Sequence, residues 1–387
     1  MTVVAGRVVT PDGVLSDGYV RIAGERVTEL GTSTAGSAGA RGSAGSTGSA
    51  GSAGSAEAGD WVVPGFVDLH VHGGGGYSFT DGDPAAAAGA AAFHLTHGTT
   101  TLLASLVASP LELMIAATRA YLPLVEAGVI AGLHYEGPYL AASRCGAQHP
   151  AYLRTPSTVE LAELLDAGEG AVRMVTIAPE LPGALDAIRL LVARGVVAAV
   201  GHTDATYDQT LAAVQAGATV GTHVFNAMRQ LHQREPGPAL ALLGSVGVTC
   251  ELVGDGVHLH DAVLAAAARL AGPGRVALVT DAVAAAGMAD GEYELGGQAL
   301  VVTGGVARLA RDGTIAGSTL TMDAALRRAV HAGLSIVDAV RAASTNPAAA
   351  LGLAGVGALA VGDRADLVVL DDRLTVRRVM RAGAWVR

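Results

Sequence analysis

The chain contains no lysine: all 25 of its basic residues are arginine. That absence removes lysine Schiff bases, lysine general bases and carboxylated-lysine metal bridges from the chemistry open to it. Cysteine is nearly absent as well. Cys145 and Cys250 are the only two and lie far apart, which argues against a disulfide framework and makes a reducing, cytoplasmic setting the expectation. Aromatic residues are 4% of the sequence while hydrophobic residues are 50%, so any core must be assembled mainly from Ala, Val and Leu. No apolar run approaches the roughly 18 residues of a membrane span. The opening MTVVAGRVVTPDG lacks the charged-then-apolar order of a secretory signal. No basic patch stands out, and a net charge of −10 disfavours nucleic acid as a partner. An anionic substrate would need its own local arginines.

What is present is periodic. At 387 residues the chain has room for one barrel domain and a small appendage. Residues 1 to 30 read as short strands, Thr2–Val9, Gly18–Ile22 and Arg26–Leu30, with a Pro11-Asp12-Gly13 turn. Residues 31–60 are almost purely Gly, Ser, Ala and Thr, without periodicity, and read as a flexible insert with no chemistry. From residue 61 to about 352, apolar strands alternate with helical stretches. The strand candidates are Val62–His70, Thr99–Leu103, Val129–Tyr135, Val172–Ile177, Val196–Val200, Thr219–His223, Val248–Val253 and Val276–Thr280. Near-continuous apolar strands joined by helical crossovers predict an α/β fold, a (β/α)8 TIM barrel. An open doubly wound sheet is the rival, but no GxGxxG fingerprint opens a helix here. After helical stretches at Thr321–Ala332 and Ile336–Asn346, residues 353–387 read as a hairpin around Asp371-Asp372 and a last strand. Paired with residues 1–60, they predict a small β-sandwich domain built from both termini, with the catalytic barrel of residues 61–352 inserted between.

The polar outliers fall at the C-terminal ends of these strands, the face on which barrel enzymes carry their catalytic groups. His70 and His72 close the first strand in WVVPGFVDLHVHG, two residues apart and therefore on one side of it. Glu136 closes the third, His202 the fifth, His223 the sixth and Asp281 the eighth. Taken singly, each has a bland explanation: a strand-end His is more often a hydrogen-bonded scaffold residue, Glu136 before Gly137-Pro138 a loop carboxylate, Asp281 a cap. Together they favour a metal centre. Imidazoles with a carboxylate suit zinc or a similar divalent ion. Glu136, His202 and His223 make a three-ligand set with a position left for water or a carbonyl. His70 and His72 could hold a second ion with Glu136 bridging, and Asp281 fits a general base beside activated water. His134 and Asp68 share strand parity with Glu136 and His70 and suit supporting roles. His94, His97 and His331 read as structural.

The set PGFVDLHVHG, HYEGPYL, GHTDAT, THVFNAM and TDA, closing with GDRADLVVLD, resembles the amidohydrolase superfamily. The EGP turn, the HxxNAM segment, REPG and IAGS are similar to the family that deacetylates N-acetylglucosamine 6-phosphate, and the resemblance spans the chain apart from residues 31–60. It implies hydrolysis of the acetamide to glucosamine 6-phosphate and acetate, with Glu136, His202 and His223 as primary ligands and Asp281 as base and later acid. His70 and His72 match a second-ion pair present in some members only, so one or two ions are implied, zinc first, with iron, manganese or cobalt as alternatives. Substrate contacts carried over are Ala147, Gln148, Asn226, Ala227, Arg234, His258 and Ile315, Ala316, Gly317 and Ser318. Arg234 and His258 would take the phosphate, as a guanidinium pairs bidentately with it. In family members the arginine matching Arg234 can come from the neighbouring subunit, which implies a homodimer. One departure concerns the loop Cys145-Gly146-Ala147-Gln148-His149-Pro150, where Gln148 stands at the family's usual His and His149 follows one residue later. Either could reach the substrate carbonyl, and Cys145 could lie near the pocket as an ordinary thiol. The rivals are a cyclic-amide hydrolase or aminohydrolase on the same barrel, the former disfavoured by the missing lysine, and a catalytically silent sugar-phosphate-binding protein.

Overall fold

The computed structural model describes residues 1–32 and 59–387. The expected insert at 31–60 therefore lies almost wholly outside the described residues.

Both termini build one seven-stranded sheet. Thr2–Thr10, Gly13–Ala23 and Arg26–Thr32 form an antiparallel run, Trp61–Pro64 pairs in parallel with the first of these, and Leu367–Leu370, Val376–Arg381 and Ala384–Trp385 complete the opposite side. The sheet folds over its own core of Val4, Val8, Val20, Ile22, Val27, Val62, Leu367, Val369 and Met380. Arg26, on the edge strand Arg26–Thr32, bridges to Arg364 in the segment that leads into Leu367–Leu370. Val62–His70, expected as one barrel strand, is in fact two. Trp61–Pro64 stays in the terminal sheet, and Phe66–Val71 enters the barrel. The pivot is Gly65, where a Cβ would strike the side chain of Thr100.

The barrel strands are Phe66–Val71, Thr99–Val107, Leu133–Glu136, Val172–Ile177, Val197–Val200, Val220–Gly221, Thr249–Val253 and Val276–Val279, hydrogen-bonded in sequence order and parallel throughout. The seam between the last and the first is closed beyond the strands by the Val71–Ala282 bridge and by Asp281 N donating to His70 O at 2.8 Å. Helices Leu111–Glu126, Thr158–Ala167, Ala184–Ala193, Tyr207–Gln215 and Asp261–Ala271 cover the outside as expected. Their starts are chemically marked. Thr206 and Gln209 form a reciprocal capping box, worth about 1 kcal/mol, that fixes the loop running from His202 into its helix.

Two elements differ from the sequence reading. The helical stretch expected at Ile336–Asn346 runs on to Ala350 and widens into a π turn at Arg341–Thr345 between Ile336–Val340 and Asn346–Ala350; Pro347 has no N–H to continue the ordinary ladder. Secondly, Gly291–Leu295, Gln298–Thr303 and Val306–Leu309 form an antiparallel meander after the last barrel strand. Leu295, Leu300, Val302 and Leu309 pack with Val107, Val283 and Ala316, seating the meander over the barrel mouth.

Candidate active site

Each strand end that faces the mouth turns sharply. His202 (φ 48°), His223 (φ 27°) and Asp281 (φ 49°) are all left-handed, as are Phe225 (φ 81°) and Ala227 (φ 49°). Such residues cost on the order of 1–2 kcal/mol each unless their surroundings hold them. Here they are held. Asp281 lies between His70 O and Ser318, whose N–H donates to Asp281 O at 2.7 Å, and the N–H of His223 donates to the Glu251 carboxylate at 3.2 Å.

The turns aim six side chains at one point. Nε2 of His202 and Nε2 of His223 each stand 3.0 Å from Glu136 Oε1 and 3.1 Å from each other. On the other side, Nε2 of His70 and Nε2 of His72 are 3.1 Å apart. They lie 3.3 and 3.2 Å from the two Glu136 oxygens and 3.5 and 3.3 Å from Asp281 Oδ1. The six thus form two adjoining groups, His70–His72–Asp281 and Glu136–His202–His223, with Glu136 facing both.

The outer nitrogens decide what this arrangement wants. His202 Nδ1 donates to Arg144 O at 2.8 Å, His72 Nδ1 to Ser105 O at 3.1 Å and His70 Nδ1 to Glu251 Oε2 at 3.3 Å. Each acceptor has no proton to give, so Nδ1 carries the hydrogen and the inward Nε2 of the neutral ring presents a lone pair. Facing lone pairs repel unless a cation or a proton sits between them. Tetrahedral ligands about 2.0–2.1 Å from zinc are about 3.3 Å from one another, the spacing found here, so the residues fit a divalent ion.

The electrostatics agree. Burial opposes charge on His72, but its bonds to Asp281 and Glu136 outweigh this and lift its pKa to about 9; His70 is raised by the same carboxylates. Against burial, the imidazoles hold Glu136 well below the usual carboxylate range and Asp281 at about 2. A field that draws protons onto imidazoles draws a metal cation equally. His134, in contrast, is kept neutral by burial and by the neighbouring imidazoles, and bonds Ser105 and Thr176.

A cavity of about 360 Å³ opens above, lined on the substrate side by Ala147, Gln148, Asn226, Ala227, His258, Ile315 and Gly317. Gln148 is buried, its Oε1 accepting from Ala108 N at 2.8 Å and its Nε2 turned onto Glu136. His149 does not take its place: it caps the short turn Pro150–Tyr152 and stacks on Tyr152 outside the cavity. Cys145 likewise stays off the wall, its thiol turned to Gly146 O. Ala316 and Ser318 also turn away, the first into the apolar cluster under the meander and the second with its hydroxyl on Thr280 O. Arg234 is exposed in the loop before Gly237–Gly244 and does not reach this cavity. His258 Nδ1 donates to Asp255 Oδ2 at 2.7 Å.

Three residues were missed in the sequence. Arg144 lines the cavity with its guanidinium bound to Asp204, Ser105 supports His72 and His134, and Glu251 stands behind His70. Glu251 had a legible signal, a lone charge inside the apolar run VTCELV; the other two had none.

A closed parallel barrel with two joined His/carboxylate groups at the C-terminal strand ends defines a metal-dependent hydrolase. The chain belongs to the amidohydrolase family, whose model matches residues 61–386. It is 34% identical over 331 residues to the N-acetylglucosamine-6-phosphate deacetylase of Lysinibacillus sphaericus, covering 84% of this chain and 85% of that one. It is 38% identical over 328 residues to an N-acetylgalactosamine-6-phosphate deacetylase of Escherichia coli O157:H7, covering 83% and 86%. Among solved structures, the N-acetyl-D-glucosamine-6-phosphate deacetylase of Mycobacterium smegmatis matches with a TM-score of 0.92 and 48% identity over 100% of both chains.

Proposed function

We propose that this chain removes the acetyl group from N-acetylglucosamine 6-phosphate, giving glucosamine 6-phosphate and acetate. The observation that carries the reading is Asp281, an ionised carboxylate within 3.5 Å of the inward nitrogens of His70 and His72 and on the wall of the substrate cavity. Named relatives that deacetylate phosphorylated amino sugars support it.

Glu136, His202 and His223 would hold the primary divalent ion and His70 and His72 a second, with zinc the choice that best suits imidazole and carboxylate donors. A bound ion supplies a Lewis acid for the acetyl carbonyl and brings the pKa of water toward about 7. Asp281, held ionised by the neighbouring imidazoles, is free to accept a proton at neutral pH. It takes the proton of the attacking water as the new C–O bond forms. Gln148, pinned through Oε1 by Ala108, presents an N–H that can turn from Glu136 to the carbonyl oxygen as negative charge grows there. When the C–N bond breaks, Asp281 returns its proton to the departing amine. Asn226, Ala227 and Ile315 line the space for the sugar. At the far end His258 meets the phosphate, joined by Arg234 of a second protomer, so we read the enzyme as a homodimer. No helix among the described residues is long and apolar enough to cross a membrane. Two unpaired cysteines suit a cytoplasmic setting.

The test is acetate release from N-acetylglucosamine 6-phosphate by chelated enzyme reloaded with zinc, iron, manganese or cobalt. No turnover with any of them refutes the reading. Faster turnover of the galactosamine epimer would move the substrate to that sugar.

A further inference from the structure

Behind the six convergent groups stands a further acid. Glu251 lies in the middle of strand Thr249–Val253 and is wholly buried. Its Oε2 accepts from His70 Nδ1 at 3.3 Å and from the main-chain N of His223 at 3.2 Å, and its carbonyl accepts from Val224 N at 2.9 Å. Among the described residues, Glu251 Oε1 and His223 Nδ1 have no hydrogen-bond partner. A carboxylate buried in a barrel core costs several kcal/mol relative to an apolar side chain that would pack equally well. Packing therefore does not explain it. Its two partners do: His70 belongs to one half of the centre and His223 to the other.

We propose that Glu251 is a positioning residue shared by both halves. It holds His70 in the tautomer that leaves Nε2 free, and from the next strand it clamps the turn that begins at left-handed His223. The affinity of the His70–His72–Asp281 half depends on it most, because there it acts on the imidazole itself. The inference rests on the metal-centre reading given above. An acceptor behind a ligating imidazole fixes the ring and raises its basicity, and losing one typically costs about 10–100-fold in metal affinity. A glutamine at 251 can keep its amide oxygen on both His70 Nδ1 and His223 N, with its NH2 in the place of the unpartnered Oε1, and so it removes the negative charge that raises the basicity of His70.

The experiment titrates the chelator-stripped full chain with cobalt(II), by calorimetry and visible absorption, in the wild type and in Glu251→Gln. The expected result is two ions in the wild type and, in the variant, a second ion weakened about 10–100-fold while the first stays within a few-fold. Glu251→Asp, which keeps the charge but withdraws it by one methylene, should weaken the same ion, and it serves as the test if the glutamine variant is not recovered folded. Wild-type affinities for both ions in a folded variant would overturn the role of Glu251. A wild-type chain that binds no ion would instead remove the metal-centre reading on which it rests.

Discussion

Asp68 on the first barrel strand accepts the hydroxyl of Thr280 at 2.6 Å, and its other oxygen accepts the N–H of Thr280 at 3.2 Å and that of His70 at 3.3 Å. Side chain thus joins strand where the backbone ladder of the barrel ends, and it does so between residues adjacent to Asp281 and within reach of His70. Replacing Asp68 by Asn can keep an acceptor for the two N–H groups but reverses the bond to the Thr280 hydroxyl and removes the charge behind both. Urea unfolding of D68N should report a loss of about 1–3 kcal/mol. T280V should lose less, and the double variant less than the sum of the two. Strict additivity would mean the two do not act as a unit.

Asp281→Asn keeps the shape of the site and removes the carboxylate proposed as the base. Metal content measured by elemental analysis should be unchanged in the primary half, while kcat falls about 10²–10⁴-fold. An Asn variant that turns over at the parental rate would take Asp281 out of the proton path.

Gln148 supplies an N–H that cannot titrate. Q148A should lower kcat about 10²–10³-fold with little change in KM, the signature of a contact made in the transition state. Q148H should recover much of the rate and gain a new limb in the pH–kcat profile from its imidazole. An unchanged kcat in Q148A would assign carbonyl polarisation elsewhere.

A His258 that meets the phosphate should carry the pH dependence of substrate binding. Burial opposes its protonation, but the bond to Asp255 outweighs this and raises its pKa above the ordinary imidazole value, while His258 in turn lowers Asp255. A raised folded-state pKa means that the charge is present below it and lost as pH rises through it. The substrate phosphate is already a dianion there, with its second pKa near 6. KM should therefore climb on the alkaline side with kcat level, and H258N should show a higher KM that no longer varies with pH. A wild-type KM flat across that range would remove the phosphate role of His258.

The joined carboxylates and imidazoles also tie stability to metal. An ion present at 100 times its Kd adds about 2.7 kcal/mol to the folded state. Thermal unfolding should shift down on chelation and recover with zinc, and E136Q should abolish most of that shift.

Much of this was legible in the linear sequence because the barrel repeats one rule. Each strand is a near-continuous apolar run, since both its faces are buried, so a histidine or carboxylate at its end stands out. Thus His70, His72, Glu136, His202, His223 and Asp281 could be read as one set before any coordinates. Where the rule failed, a local signal was ambiguous. Val62–His70 reads as one strand although Gly65 breaks it, and the meander went unread although QALVVT and VARL, joined by Gly304-Gly305, carry a hairpin signal. The choice between Gln148 and His149 was open because neighbours in sequence can face opposite ways, and the loop that decides it is held by Ala108 and Gln298 from distant segments.

The sequence by itself determined the barrel, the ligand types and the exclusion of lysine chemistry, because periodicity and residue identity are properties of the chain. Only the tertiary structure decided which nitrogen of each histidine faces inward, that Glu136 serves both groups, and that Glu251 stands behind His70. Those depend on acceptors at Arg144, Ser105 and Glu251 that lie on other strands and loops, and no spacing along the chain encodes a contact that closure of the barrel creates.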